Sequence, residues 1–254
     1  MRILIITQDS PFYLAENIDY LITHIPQHSL VCGCVVLGAS PFGKNETIFQ
    51  KMAHTYRTFG PEFFVRYAWK FMLSKLASGR RVASVLKKYG VPVIKIATNI
   101  NSKSSIRLLG IHEPDLLISI QANVIFKKPL IELAPRGCLN LHTGLLPKYR
   151  GLMPTFWVMK NDEQETGVSV FFVDEGIDSG PILVQKRLAI ENRTLDELIR
   201  HTKRVGMDAI IEAVELIHAG GYTLIENRDE DKTYYSFPTT EDVREFKRLG
   251  KKFF

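Results

Sequence analysis

LVCGCVVLG, Leu30 to Gly38, carries no charge and closes on a glycine, so it reads as a strand buried on both faces. Runs of the same kind recur on either side of it. RILIIT, Arg2 to Thr7, is a short buried strand upstream; VPVIKIA, Val91 to Ala97, and DLLISI, Asp115 to Ile120, are two more downstream. Between the first two runs, Leu14, Ile18, Leu21, Ile22 and Ile25 recur at helical spacing. Buried strands alternating with helices predict an α/β fold, Rossmann-like, with a mostly parallel central sheet and helices on both faces. From about Lys44 to Tyr89 the strand signals give way to aromatics: Phe59, Phe63, Phe64, Tyr67, Trp69 and Phe71. That stretch reads as helices, its rings serving the core or a subunit contact, which makes it the candidate surface for a homodimer.

A chain of 254 residues with 45% hydrophobic and 24% charged content suits one sizeable domain with an appendage. The expected division is a catalytic domain over 1–221 and a short C-terminal extension over 222–254. No apolar run approaches the length of a membrane span, and MRILIIT meets Gln8 and Asp9 at once, as a strand does and a signal peptide does not. A cytoplasmic protein without membrane partners is expected. Cys32 and Cys34, two apart on a strand, would share one face as small buried hydrophobes, and no further ligands stand near them to make a metal site. The first strand is not followed by a G-x-G-x-x-G fingerprint, and no G-x-x-x-x-G-K-[ST] loop exists, so nicotinamide and common nucleotidase chemistry are disfavoured. The net charge of +6 tolerates a polyanion and equally suits a phosphate-bearing small substrate. Lys247, Arg248, Lys251 and Lys252 read as a solvated helix face rather than a nucleic-acid patch. The clearest helix begins at the capping box Thr194/Glu197 and ends at Gly220 and Gly221; it shows no obvious chemistry. YYSFPTTEDVREF turns at Pro238 and resumes as a helix.

Chemistry concentrates in LNLHTGLLPKYRG, Leu139 to Gly151. A Pro-Arg-Gly turn precedes it, so Cys138 to His142 reads as a strand on which Asn140 and His142 share a face. In open α/β sheets ligands bind at the strands' C-terminal ends, where this amide and imidazole would stand. A second segment, GVSVFFVDEGIDSGPIL, leads a strand into the tight acidic loop Asp174, Gly176, Asp178, Gly180. Asn, His and Asp suit acyl-level transfer without a covalent intermediate. The Asn140 amide would stabilise developing oxygen charge, His142 would move the attacking amine's proton, and Asp178 would orient and balance the imidazole. On residue types alone, a core histidine and a turn-forming aspartate explain the same pattern as well.

At these residues the sequence resembles the 10-formyltetrahydrofolate-dependent formyltransferases, through N-x-H followed by LLP-x-x-[RK]-G and then D-x-G-x-D-x-G. The likeness is strong from about Asp115 to Ile217. It implies Asn140, His142 and Asp178 as the catalytic trio and 10-formyltetrahydrofolate as co-substrate. It also implies that the pterin lies between Val124, Ile125 and Phe126 on one side and a loop of Asp174, Glu175, Gly176, Ile177 and Asp178 on the other. Apolar Ile125 and Phe126 suit a flat ring, or ordinary core packing. Many relatives carry Ser where this chain has Gly144 after Thr143, so Thr143 is a candidate for the local substrate contact.

The acceptor is an amine. Methionyl-tRNA enzymes of the family add a C-terminal barrel, whereas 33 residues follow Gly221 here. Glycinamide ribonucleotide enzymes carry a glycine-rich loop where this chain has TQDSPFY, and formyltetrahydrofolate hydrolases carry an N-terminal regulatory domain. The resemblance thus implies a nucleotide-linked amino-dideoxy sugar as the small-molecule partner, and no nucleic acid. Within KYRGLMPTFWVM, Arg150 is the candidate to face a phosphate and Trp157 to pack on a sugar or base; their bland alternatives are a salt bridge and a core aromatic. A tRNA-formylating enzyme, a hydrolase and a silent binding module remain the competing functions.

Overall fold

A computed structural model of the chain describes residues 1–10, 12–38, 47–76, 81–97 and 99–254. Five strands run parallel: β1 (Arg2–Gln8), β2 (Leu30–Leu37), β3 (Val93–Ile94), β4 (Leu116–Ile120) and β5 (Cys138–His142). β6 (Arg150–Gly151) leaves the sheet; β7 (Glu165–Phe172) and β8 (Ile182–Ala189) return to it antiparallel. β9 (Tyr234–Tyr235) pairs with β6 instead. Among the described residues the main sheet runs β3-β2-β1-β4-β5-β7-β8, so the strand order reverses between β1 and β4. Ligands collect at the carboxyl edge of such a switch point. VPVIKIA yields only the two-residue β3, an edge strand with one neighbour, and β8 pairs where the sequence pattern raised no strand.

Helices cover both faces, as expected. Ile3 and Ile5 of β1 face α1 (Leu14–His24), where Leu14, Ile18 and Leu21 are buried. The intervening Leu4 and Ile6 pack with Leu109 and Leu130 on the other face. The aromatic stretch forms α2 (Ile48–Phe59) and α3 (Pro61–Leu76), followed by α4 (Val82–Lys88); its positions 44–46 and 77–80 lie outside the described residues. Its rings divide: Phe59 stacks on Phe63 at 4.5 Å in the interior, whereas Trp69 is 62% exposed. Leu109 belongs to α5 (Lys103–Gly110) and Leu130 to α6 (Lys128–Ile131). The two cysteines of β2 do not share a face. The register against β1 jumps from Ile3↔Val31 to Leu4↔Gly33, a bulge that interrupts the alternation and sends Cys32 to one core and Cys34 to the other. Burial pushes the thiols of Cys34 and Cys138 up to about 12, so neither is a ready nucleophile.

The end of the chain makes a third core with α7 (Pro154–Lys160) and the start of α8 (Leu195–Ala219). There α9 (Thr240–Arg248) seats Phe246 on Phe156 at 5.0 Å, and Phe253 closes over both. Each fully buried aromatic contributes about 1.5–3 kcal/mol. Residues past Gly221 are also stitched to the sheet, Ile225 bridging Ile182 as β9 takes up β6. α8 starts at the expected capping box, Thr194 Oγ1 accepting from Glu197 N at 3.3 Å, and Gly220 ends it. A Cβ at Gly206 would stand 2.7 Å from Leu141, so glycine there lets α8 lie directly on β5.

Candidate active site

β5 carries the site because of its alternation. Leu139 and Leu141 join the core beneath α8, so Asn140 and His142 turn to the opposite face with Cys138. The loop after His142 is fastened from below. Ser169 of β7 donates its hydroxyl to Gly144 O at 2.8 Å and accepts from Leu146 N at 3.1 Å, while Gln185 donates to Leu146 O at 2.9 Å. A Cβ at Gly144 would come within 3.0 Å of His142 Nε2, so a larger residue would crowd the imidazole.

His142 is buried and held from two sides. Nε2 donates to Tyr149 O at 2.8 Å, and because a carbonyl only accepts, Nε2 carries the hydrogen in this bond. Nδ1 then faces Asp178 Oδ2 at 3.6 Å. Asp178 sits at φ 49° in the left-handed region, and its Oδ2 also accepts from Gly151 N at 2.9 Å. Asp174 shapes the same loop, its Oδ1 accepting from Gly176 N at 3.0 Å and from Ser179 Oγ at 2.6 Å. The Asn140 side chain takes no hydrogen-bond partner among the described residues, which leaves its amide free to serve a ligand.

These residues line one cleft of about 570 Å³ at the switch point, a size suited to a folded small ligand. Its walls include Asn140, His142, Thr143 and Asp178, with Val124, Ile125, Phe126, Asp174, Gly176 and Ile177. Ile125 is 56% exposed and Ile177 42%, apolar surfaces available to a flat ring. Glu175 is exposed and stands outside the cleft wall. No cluster of three or more His, Cys, Asp or Glu that could hold a metal ion occurs among the described residues.

Neither Arg150 nor Trp157 lines this cleft. Arg150 is 3% exposed and reaches away from the cleft, donating to Asp229 Oδ1 at 2.7 Å, Asn227 Oδ1 at 2.9 Å and Asn227 O at 3.2 Å. Trp157 is buried, stacks on Tyr235 at 4.6 Å and donates Nε1–H to Ser236 O at 3.1 Å. Both hold the end of the chain, Trp157 within the third core and Arg150 on Asn227 and Asp229, with the chain between them turning through Tyr149 and Met153 at φ 59° and 52°. Asn227 is a site residue that sequence gave no reason to name. Its amide donates to Asp178 O and Gly180 O, each at 2.9 Å, so it ties the Asp178 loop to Arg150. α8, expected to carry no chemistry, supplies Lys203 and Met207 to the cleft. Their signal was spacing: both stand on the inward side of α8, flanking Gly206.

A mostly parallel sheet with a cleft at its carboxyl edge, lined by an amide and by an imidazole that faces a carboxylate, defines an open-sheet α/β protein. A family model described as formyl transferase matches residues 74–214, and the chain belongs to that family. It is 35% identical over 163 residues to a methionyl-tRNA formyltransferase of Kosmotoga olearia, covering 64% of this chain and 52% of that protein. The chain thus spans about half the length of the curated relatives it matches. Among solved structures it is similar to a sugar N-formyltransferase from Shewanella sp FDAARGOS_354, with a TM-score of 0.60 and 20% identity over 98% of this chain and 87% of that one. An N-formyltransferase from Helicobacter canadensis, solved with folinic acid and dTDP-3-aminofucose, gives a TM-score of 0.59 and 17% identity over 98% and 80%. At such identities these structures show a shared fold.

Proposed function

We propose that this protein is an N-formyltransferase that moves a formyl group from 10-formyltetrahydrofolate to the amine of a nucleotide-linked amino-dideoxy sugar. The observation that carries the chemistry is the meeting of Asn140, His142 and Asp178 in one cleft whose opposite wall is apolar. Ile125, Phe126 and Ile177 fit the flat faces of a pterin, and the backbone of Asp174 to Asp178 offers its edge partners. When bound, the folate supplies an activated one-carbon unit on its N10. The free amide of Asn140 donates to the oxygen on which negative charge develops. His142 Nδ1 would take the proton leaving the amine, the Asp178 carboxylate 3.6 Å away balancing the imidazolium, and would return that proton to N10 as the C–N10 bond breaks and tetrahydrofolate departs. Tyr149 O keeps the ring from rotating out of that position.

The sugar acceptor is supported by alignment of sugar N-formyltransferases over 98% of this chain, third core included. Methionyl-tRNA is the second reading, favoured by the sequence relatives, whose matches stop short of the whole chain. A turnover assay with 10-formyltetrahydrofolate and a panel of nucleotide-linked amino sugars, methionyl-tRNA and glycinamide ribonucleotide decides between them. Formylation of a sugar nucleotide is expected. Formylation of tRNA alone would replace the acceptor and keep the chemistry, and folate release without formylated amine would make the protein a hydrolase.

A further inference from the structure

The cleft has two chemically different ends. At one end stand Asp174 and Asp178 with the apolar residues of the β4–β5 side. At the other, Ser10, Leu14, Asn17, Tyr67, Lys203 and Met207 converge from the β1–α1 connection, α3 and α8. The second end is cationic. The carboxylate that acts on Lys203, Asp196, lies outside the cleft wall and is already engaged: Lys70 pairs with it, the Tyr13 hydroxyl donates to it, and Arg200 approaches to 3.8 Å. Lys203 forms no ion pair with the described residues; its Nζ lies 5.6 Å over the Tyr13 ring. Burial, reinforced by Lys70, pulls its ammonium down to about 8. A partly buried cation without a counter-ion is costly to keep and gains most from an anion brought by a ligand.

We propose that Lys203 receives the diphosphate of the acceptor substrate, a role the sequence pointed to Arg150 to fill. This specificity site rests on the nucleotide-sugar acceptor proposed above. It orients the acceptor with its phosphates between α1 and α8 and its amino sugar toward His142. The folate's carboxylates are the other anions that could reach Lys203, and the two sources separate by measurement.

Binding of thymidine diphosphate and of uridine diphosphate to the full chain without folate, by titration calorimetry, is the test. Lys203→Met is expected to weaken the nucleotide that binds wild type by about tenfold or more, and Lys203→Arg to recover part of it. With the sugar nucleotide found in turnover, KM should rise by a similar factor while kcat at saturation and the KM for 10-formyltetrahydrofolate hold. Unchanged nucleotide affinity in a folded Lys203→Met overturns the site while leaving the acceptor class standing. A rise confined to the folate KM assigns Lys203 to the co-substrate instead. Absence of nucleotide binding by wild type, with no sugar nucleotide formylated, removes the acceptor and this site together.

Discussion

The two halves of the segment Leu139 to Trp157 carry equally suggestive polar residues and use them in opposite ways. Asn140 and His142, on β5, open onto the cleft, one with its amide unengaged and the other facing a carboxylate. Arg150, through both terminal guanidinium nitrogens, and Trp157, a few residues on, are bonded to Asn227, Asp229 and Ser236 and stabilise the packing of the chain's end. A polar side chain already paired within the fold is stabilising; one left unpaired at a cleft edge is available to a ligand. The same distinction separates Arg150 from Lys203.

If that contrast is sound, the two halves should fail differently. Asn140→Ala and His142→Ala should each lower turnover by roughly 10²–10⁴-fold. Asn140→Ala should leave the urea midpoint unchanged, whereas His142→Ala, which strips Tyr149 O of its buried donor, should lower it as well. Near-normal turnover in either folded variant would break the comparison at its chemical end. Arg150→Met should do the reverse. Leaving Asn227 Oδ1 without its donor should lower unfolding free energy by about 2–3 kcal/mol, read as a fall in urea midpoint, with turnover changed far less. A large loss of activity without loss of stability would return Arg150 to the site. The smallest effect concerns Lys203, whose ammonium lies over the Tyr13 ring and feels Lys70 of α3, which lowers it, and Asp196 of its own helix, which raises it. Folding lowers its value from 10.5 to about 8, so between those values the unfolded chain holds a proton that the folded chain has released. Stability should therefore rise with pH across that window in wild type, and rise less in Lys203→Met, measured as urea midpoints at pH 8 and 10.

Cys32 and Cys34 show how a regular pattern misleads. Spacing of two means one face only where the ladder is uninterrupted, and the bulge at Leu4↔Gly33 is a pairing fact whose one mark in β2 is the interior glycine, Gly33. β8 was invisible for a related reason. ILVQKRLA, Ile182 to Ala189, is buried in its first half and increasingly exposed in its second, so it lacks the continuous apolar run that marked β2 and β4. The expected helices from Leu14 and from Thr194 are present because their apolar stripes and, for the second, its capping box are local.

What the sequence by itself determined is whatever neighbouring residues enforce on one another. The parallel core strands followed from predominantly apolar runs, the ends of α8 from Thr194, Glu197 and Gly220, and the shared face of Asn140 and His142 from strand alternation. Tertiary structure alone decided which polar groups were already satisfied. Arg150 meets Asn227 and Asp229 across more than seventy residues, Asn227 reaches Asp178 across nearly fifty, and Asp196 is neutralised by Lys70 from another helix. A hydrogen bond depends on distance in space, and the electrostatics of a cleft is the sum of such pairings. The shared face of Asn140 and His142 was therefore legible along the chain, while which cations of the described residues stand already paired, Arg150 being one and Lys203 not, was decided in space.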